Sequence, residues 1–289
     1  MEVDASIIIP FHNEGINVYN TLKSIHENTS YENYEIIVVD DGSTDRDYSD
    51  LKNFNVRFYR TKRIGSSKAR NYGAEHARGG FLVFLDAHTS FQPKWLSRLV
   101  DVMEEFKPSI VTPCIFDINI PQNKGYGFTF GSWKLNIKWL SKKGTKPYEI
   151  PMGSGACMVI PKKLFDSIGG FDHGIKEWGC EDVEICLRTW LLGYSVMLIP
   201  TIEVGHLFRS QFPYEIRDFI INRNILRLAF THFKKERIKK VVECLKKYPG
   251  FYRAYLSNIF SDILIRRFSL MKKRKFDDDW FFEKFKINI

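Results

Sequence analysis

The chain has 289 residues, 44% of them hydrophobic, and 43 Lys and Arg against 34 Asp and Glu give it a formal charge of +9. This apolar content supports one sizeable α/β domain, with or without a helical appendage, and excludes an intrinsically disordered chain. Five cysteines without C-x-x-C spacing suggest neither a zinc ribbon nor a disulfide framework, no apolar run approaches the roughly 18 residues of a membrane span, and Glu2 and Asp4 fit no signal peptide, so a cytoplasmic protein is expected.

Ser6-Ile7-Ile8-Ile9-Pro10 reads as a continuous apolar strand, and Val18, Leu22 and Ile25 at i, i+4 and i+7 give the helix after it. Glu35 to Asp40 is a second strand, running into the turn-forming Asp41-Gly42-Ser43. Val56 to Tyr59 makes a third strand, residues 67–77 a helix, and Phe81 to Leu85 a fourth strand. Strands without polar alternation, separated by helices, indicate a mostly parallel α/β sheet flanked by helices, of Rossmann-like type. Ligands of such sheets sit beyond the carboxyl ends of the strands. That rule gathers Pro10-Phe11-His12-Asn13-Glu14, Asp40-Asp41, Arg63 and Asp86-Ala87-His88 along one rim.

The stretch from Phe81 to His88 is the most informative, because five apolar residues end in two metal-capable side chains. A carboxylate and an imidazole at a strand end can share one divalent cation such as Mn²⁺ or Mg²⁺, and that ion can in turn hold a departing diphosphate. The alternative is a helix-capping Asp86 and an ordinary loop His88. Asp41 can accept hydrogen bonds from a base or ribose, and Arg63 can contact phosphate or order the carboxylates; Asp-Gly-Ser is also a common plain turn. Neither a P-loop nor a G-x-G-x-x-G follows the first strand, so an anion would be held by metal and arginine.

In the second half, Trp178 offers a broad apolar wall for a sugar or peptide, and Glu181-Asp182 opens a helical run through Leu191. Paired acids there also simply complement a helix N-terminus. After a strand at Met197 to Pro200, His206 and Arg209 provide a third metal ligand and a cation for a diphosphate, or else a packed histidine and a surface arginine. Beyond residue 230 the basic residues cluster, and Ile238, Val241, Val242 and Leu245 place one apolar stripe on a helix with lysines opposite. This is a solvated helix face, or a face for an anionic membrane or acidic partner. With no nucleic-acid-binding motif present, nucleic acid is not an expected partner.

Phe11-His12-Asn13-Glu14, Asp40-Asp41, Arg63 with Gly65, Asp86-Ala87-His88, Trp133-Lys134-Leu135-Asn136, Trp178-Gly179 with Glu181, and Val204-Gly205-His206 through Arg209, Pro213 and Tyr214 occur in that order. With a weaker echo in Asn224 and Arg227, this series resembles the catalytic domain of the polypeptide N-acetylgalactosaminyltransferases, within the GT-A glycosyltransferases. The resemblance implies a nucleotide-sugar site in which Asp41 and Arg63 contact the uridine nucleotide beside Pro10, Phe11 and Ala87. It implies metal binding by Asp86, His88 and His206, and a donor sugar and diphosphate lined by Trp178, Glu181, Arg209 and Tyr214 under a lid at residues 208–214. Gly153-Ser154-Gly155-Ala156 resembles the family's small-residue turn, where a plain turn is the alternative.

One departure bears on mechanism. The family has asparagine where this chain has Asp182, and the resulting Glu181-Asp182 pair is typical of inverting enzymes. Inversion is therefore slightly preferred, with Asp182 as base; retention would lean on the leaving diphosphate instead. The family's lectin domain, anchor and disulfides have no counterpart in the sequence, which points to a soluble relative. The expected activity is Mn²⁺- or Mg²⁺-dependent transfer of a hexose or N-acetylhexosamine from a UDP-sugar to a hydroxyl or thiol of a peptide or protein, with Trp133 and Trp178 lining the groove. A glycan acceptor in surface-polysaccharide or glycolipid assembly is the alternative, the basic helices then resting on an anionic membrane, and a non-catalytic binding module is a third class. Residues 1–230 are expected to form the catalytic domain and 231–289 a basic helical extension.

Overall fold

The opening apolar run forms β1 (Ala5–Phe11) in a computed structural model that describes residues 3–209 and 211–289. After α1 (Asn17–Asn28) come β2 (Tyr34–Asp40), β3 (Arg57–Arg60), α2 (Ser66–Glu75), β4 (Phe81–Leu85), β5 (Thr89–Phe91) and α3 (Trp95–Phe106). The middle of the chain gives β6 (Ile110–Asp117), β7 (Lys124–Gly125), β8 (Phe128–Phe130), β9 (Ile137–Trp139), β10 (Tyr148–Glu149), β11 (Cys157–Pro161) and α4 (Lys162–Ile168). The remainder is α5 (Glu181–Leu191), β12 (Val196–His206), α6 (Asp218–His232), α7 (Lys235–Leu245), α8 (Phe251–Ile259), α9 (Ile263–Lys273) and α10 (Asp278–Lys284).

The main sheet runs β10-β12-β6-β11-β4-β1-β2-β3. Its first half is parallel as the pattern predicts, with Phe11 level with Asp40 and Ile8 level with Phe84, so the carboxyl ends of β1, β2 and β4 open on one edge. The centres of these strands are apolar because both faces are covered. Ile8, Val39 and Phe84 point into one core; Ile7, Ile9, Val38 and Val83 point into the other, against Val18 and Leu22 of α1 and Leu96 and Leu99 of α3. The second half is mixed. β11 runs antiparallel between β4 and β6, a direction that the short apolar run Cys157–Pro161 does not reveal by periodicity.

The strand expected over 197–200 continues to His206. Its register against β6 shifts between Ile199 and Glu203, at Pro200, which has no N–H to give a regular ladder. Beyond that irregularity β12 also pairs antiparallel with β5, placing His206 opposite Thr89. Residue 230, the expected end of the catalytic region, falls inside α6. Phe233 at the end of α6, and Val241, Leu245, Phe251 and Phe281 from the helices that follow, lie in the same apolar core as Val39 and Phe84, and Val241 and Leu245 are the buried centre of the predicted α7 stripe.

Candidate active site

Where β1, β2 and β4 end, a cleft of about 580 Å³ opens. Pro10, Phe11, Asp41, Arg63, Asp86, Ala87, His88, Trp178, Glu181, Asp182, His206, Arg209 and Tyr214, which span two hundred residues of sequence, all line it. The topology explains the convergence. Asp86 follows β4 directly, the Asp86 amide donates to Ala156 O at 3.3 Å and Thr89 Oγ1 donates to Asp86 O at 2.9 Å. The β5–β12 pairing then carries His206 to His88, with Leu207 N donating to His88 O at 3.0 Å. Gly205 permits that approach, because a Cβ there would lie 2.3 Å from Ser90 Oγ and 2.8 Å from the Phe116 ring.

Asp86, His88 and His206 each offer a ligand atom, all within 4.8 Å of one another. The two Nε2 atoms are 3.0 Å apart and Asp86 Oδ2 is 3.3 Å from His206 Nε2. Ligands about 2.1 Å from one ion at near right angles stand about 3 Å apart, so this spacing fits a divalent cation of Mn²⁺ or Mg²⁺ type. His88 Nδ1 lies 3.2 Å from Glu14 Oε2; a proton on Nδ1 would face that carboxylate and leave the Nε2 lone pair toward the common point. The other Asp86 oxygen accepts from Arg70 Nη2 at 2.7 Å. Burial works against ionisation of Asp86, yet His206, Arg70 and His88 hold its carboxyl well below the usual carboxylate range.

Arg70 and Glu14 are contributions that the sequence reading did not assign. Arg70 is buried on α2 and also lies 3.2 Å from Glu181 Oε1, so one guanidinium spans the metal-ligand candidate and the Glu-Asp pair. Its signal was there to find, since an arginine beside Ala69, Gly73 and Ala74 on the buried face of a helix requires partners. Glu14 is buried between His88 and Arg209, whose Nη1 is 3.2 Å from Oε1. Burial alone would raise its pKa, but hydrogen bonds and charge from those two neighbours lower it.

Glu181 accepts from Ser66 Oγ at 2.5 Å and from Gly179 N at 2.8 Å. Asp182 accepts from Gly155 N at 3.1 Å and from Val183 N at 2.8 Å. Burial, then the Glu181 charge, push the Asp182 carboxyl up to about 6. Burial, with the charges of Glu14, Glu181 and Asp86, likewise raises the Tyr214 phenol above its ordinary value. Asp41 spends both oxygens on the loop that follows β3, accepting from Thr61 Oγ1 and Ile64 N at 2.6 Å and from Gly65 N at 2.7 Å. Backbone amides rather than the Arg63 guanidinium therefore order this carboxylate, and Arg63 stands exposed at the rim.

Trp178 stands at the mouth with its ring 4.9 Å from Phe212. Its loop is fastened by Asn224, which donates to Lys176 O at 2.8 Å and Trp178 O at 3.1 Å. Trp133 does not line the cleft; it stacks at 6.2 Å on Phe282 of α10, where it fills a seam between helices, so the expected groove between two tryptophans is not formed. Ser210, inside the segment expected to form a lid, lies outside the described residues.

Residues 6–169 match the profile of glycosyl transferase family 2, and residues 140–211 that of the N-terminal domain of galactosyltransferase. The chain is 37% identical over 238 residues to polypeptide N-acetylgalactosaminyltransferase 3 of Drosophila melanogaster, covering 72% of this chain and 35% of that protein. It is 33% identical over 255 residues to polypeptide N-acetylgalactosaminyltransferase 13 of Homo sapiens, covering 78% of this chain and 46% of that one. The chain thus spans less than half the length of these relatives. Among solved structures, GalNAc-T7 crystallised with UDP, GalNAc and Mn²⁺ superposes with a TM-score of 0.75 at 23% identity, over 98% of this chain and 56% of that one. TarS of S. aureus, residues 1–349 in complex with UDP-GlcNAc, gives 0.59 at 15% identity, over 90% and 74%. Both likenesses are of fold.

Proposed function

The chain belongs to glycosyl transferase family 2, and we propose that it is a metal-dependent transferase moving a hexose or N-acetylhexosamine from a UDP-sugar to a side-chain hydroxyl or thiol of a peptide or protein. One observation carries this reading, the convergence of Asp86, His88 and His206 at the end of the parallel strands. A divalent ion bound there would neutralise charge on the departing diphosphate. Arg70 fixes Asp86 and Glu14 fixes His88, so the ligands are oriented before an ion arrives. Arg209, beside Glu14, is a second cation within reach of a diphosphate in the cleft.

Asp182 takes the role of base. Its carboxyl faces the cleft and its raised pKa suits a group that must accept a proton near neutrality. The acceptor oxygen or sulfur would form its bond to the anomeric carbon as the bond to the UDP oxygen breaks, its proton passing to Asp182 and UDP leaving, with inversion at that carbon. Support for a peptide acceptor comes from the relatives, which are named polypeptide transferases, and from the Trp178–Phe212 pair, an apolar wall at the mouth.

The test is UDP release from UDP-hexoses and UDP-N-acetylhexosamines with Mn²⁺ or with chelator, followed by mass spectrometry of a Ser-, Thr- and Cys-containing peptide library and NMR of the product's anomeric proton. Mn²⁺-dependent release and a sugar mass on a peptide are expected. No release from any donor would overturn the reading, and transfer to a glycan but to no peptide would overturn its acceptor half.

A further inference from the structure

The two helices farthest from expectation are α8 and α9. Each buries one side against α6, through Phe251, Ala254 and Asn258 of α8 and Ile263 of α9, and Asn258 Nδ2 donates to Arg223 O at 2.9 Å. Their outer sides should be polar, and they are not. Tyr252, Leu256, Ile259 and Phe260 recur along the outside of α8 at helical spacing, with Tyr252 76% and Phe260 85% exposed. On α9, Leu264, Ile265 and Phe268 are exposed as well, Ile265 at 76% and Phe268 at 62%. The three exposed rings alone present on the order of 400 Å² of apolar surface, at the upper end of what a monomer leaves to water.

Charge identifies the occupant. Residues 246–275 hold nine Lys and Arg and a single acid, Asp262, which places nearly the whole net charge of the chain here. Some of these cations are turned inward. Arg266 faces Glu184, Arg267 donates to the carbonyls of Phe230 and Phe233, and Arg274 donates to His232 O. Lys247, just before α8, and Lys272 and Lys273, in the last turn of α9, are exposed, while the Lys275 side chain lies along Gly193. A second copy of the chain meeting this face would set one cationic rim against another, whereas anionic lipid matches both the apolar centre and the rim.

We propose that the outer face of α8 and α9 docks on an anionic lipid bilayer, the rings entering the acyl boundary and the lysines meeting the headgroups. None of the helices among the described residues is long and apolar enough to cross a membrane, so the seat is peripheral. It also lies one helix from the cleft, since α6 lines the cleft with Ile220, Ile221 and Ile225 and meets α8 on its other side. Docking of this kind is independent of the sugar-transfer reading.

The experiment is flotation of the full chain with vesicles of phosphatidylcholine alone or mixed with phosphatidylglycerol, at low and high salt, beside sedimentation velocity without lipid. The chain is expected to float with the mixed vesicles, less so in high salt, and to sediment as a monomer. Phe260→Ser with Ile265→Ser and Phe268→Ser should abolish flotation while leaving circular dichroism and UDP-sugar hydrolysis unchanged. Lys272→Glu with Lys273→Glu, which leaves the apolar surface intact, should weaken flotation about tenfold or more. No flotation of the wild-type chain, equal flotation with neutral vesicles, or a dimer that the triple substitution dissolves would each overturn the proposal.

Discussion

Helix α5 takes part in two clusters of buried charge that differ in one respect. At the end of its first turn, Glu184 accepts from Arg188 Nε at 2.9 Å and from Arg266 Nη2 at 3.0 Å and meets His232 Nε2 at 3.0 Å, while Asp172 accepts from Arg227 at 2.7 and 2.9 Å. Each carboxylate there is met by cationic donors, and Arg188 spends a further donor on Gly170 O at 2.5 Å. At its first residue, Glu181 joins the other cluster through Arg70, and there two imidazole nitrogens and a carboxylate oxygen face one another. Burial and charge are common to both; only the second brings two imidazole nitrogens and a carboxylate oxygen to one point that a divalent cation could occupy. The first is a lock between the sheet domain and the last helices, the second a socket.

The largest effect expected from this difference is that of Asp86→Ala, which removes a ligand and leaves Arg70 with Glu181 as its remaining carboxylate. Mn²⁺-dependent UDP binding by calorimetry should vanish and donor hydrolysis should fall about a thousandfold or more, with the melting temperature little changed. A normal UDP affinity in Mn²⁺ would mean that the two clusters are of one kind. Arg227→Leu is the matched experiment on the lock. It leaves Asp172 buried with Arg266 as its remaining cation, so stability should fall by about 3 kcal/mol in denaturant titration. The folded fraction should keep its Mn²⁺ affinity.

Much of the socket was legible in the sequence, because strand ends are. An apolar run that stops at Asp86-Ala87-His88 announces both the strand and the side chains at its end, and parallel strands end on one edge. His206 needed more. Its place depends on β12 passing the irregularity at Pro200 and pairing with β5, a long-range choice with no local pattern. Arg70 was hidden for another reason, since the periodicity of α2 marks which face is buried without saying that an arginine on that face points to a strand end. Trp133 erred in the other direction. Its aromatic character suggested a binding groove, and α10, with few local cues, supplied Phe282 as its partner instead.

Asp182 tests the border between the clusters. Its oxygens accept from two backbone amides, and its carboxyl faces the cleft. If it is the base, transfer should rise with pH through about 6 and level off above, since only the ionised carboxylate accepts the proton. Asp182→Asn should lower transfer about a hundredfold and remove that limb. The stability sign runs the other way. A carboxyl whose folded pKa is raised favours the fold while protonated, and that contribution is lost as pH rises through about 6, so the asparagine variant should melt higher than the parent at pH 7.5 but not at pH 4. Transfer that keeps both its rate and its pH limb would remove Asp182 from the chemistry and point to retention.

Glu14 gives the smallest effect and the finest distinction. It lies between His88 and Arg209 and is nearly as buried as the lock carboxylates, yet one of its partners is a metal-ligand candidate. Glu14→Gln keeps the shape and removes the charge. Were Glu14 a lock residue, the substitution would cost stability and leave metal affinity alone. As the group that fixes the His88 tautomer, it should instead lower Mn²⁺ affinity about ten- to a hundredfold, read by titration without nucleotide so that Arg209 and the diphosphate play no part. Adding UDP then separates the two contacts, because any further loss of nucleotide affinity at saturating Mn²⁺ reports on Arg209 having lost the carboxylate that positions it.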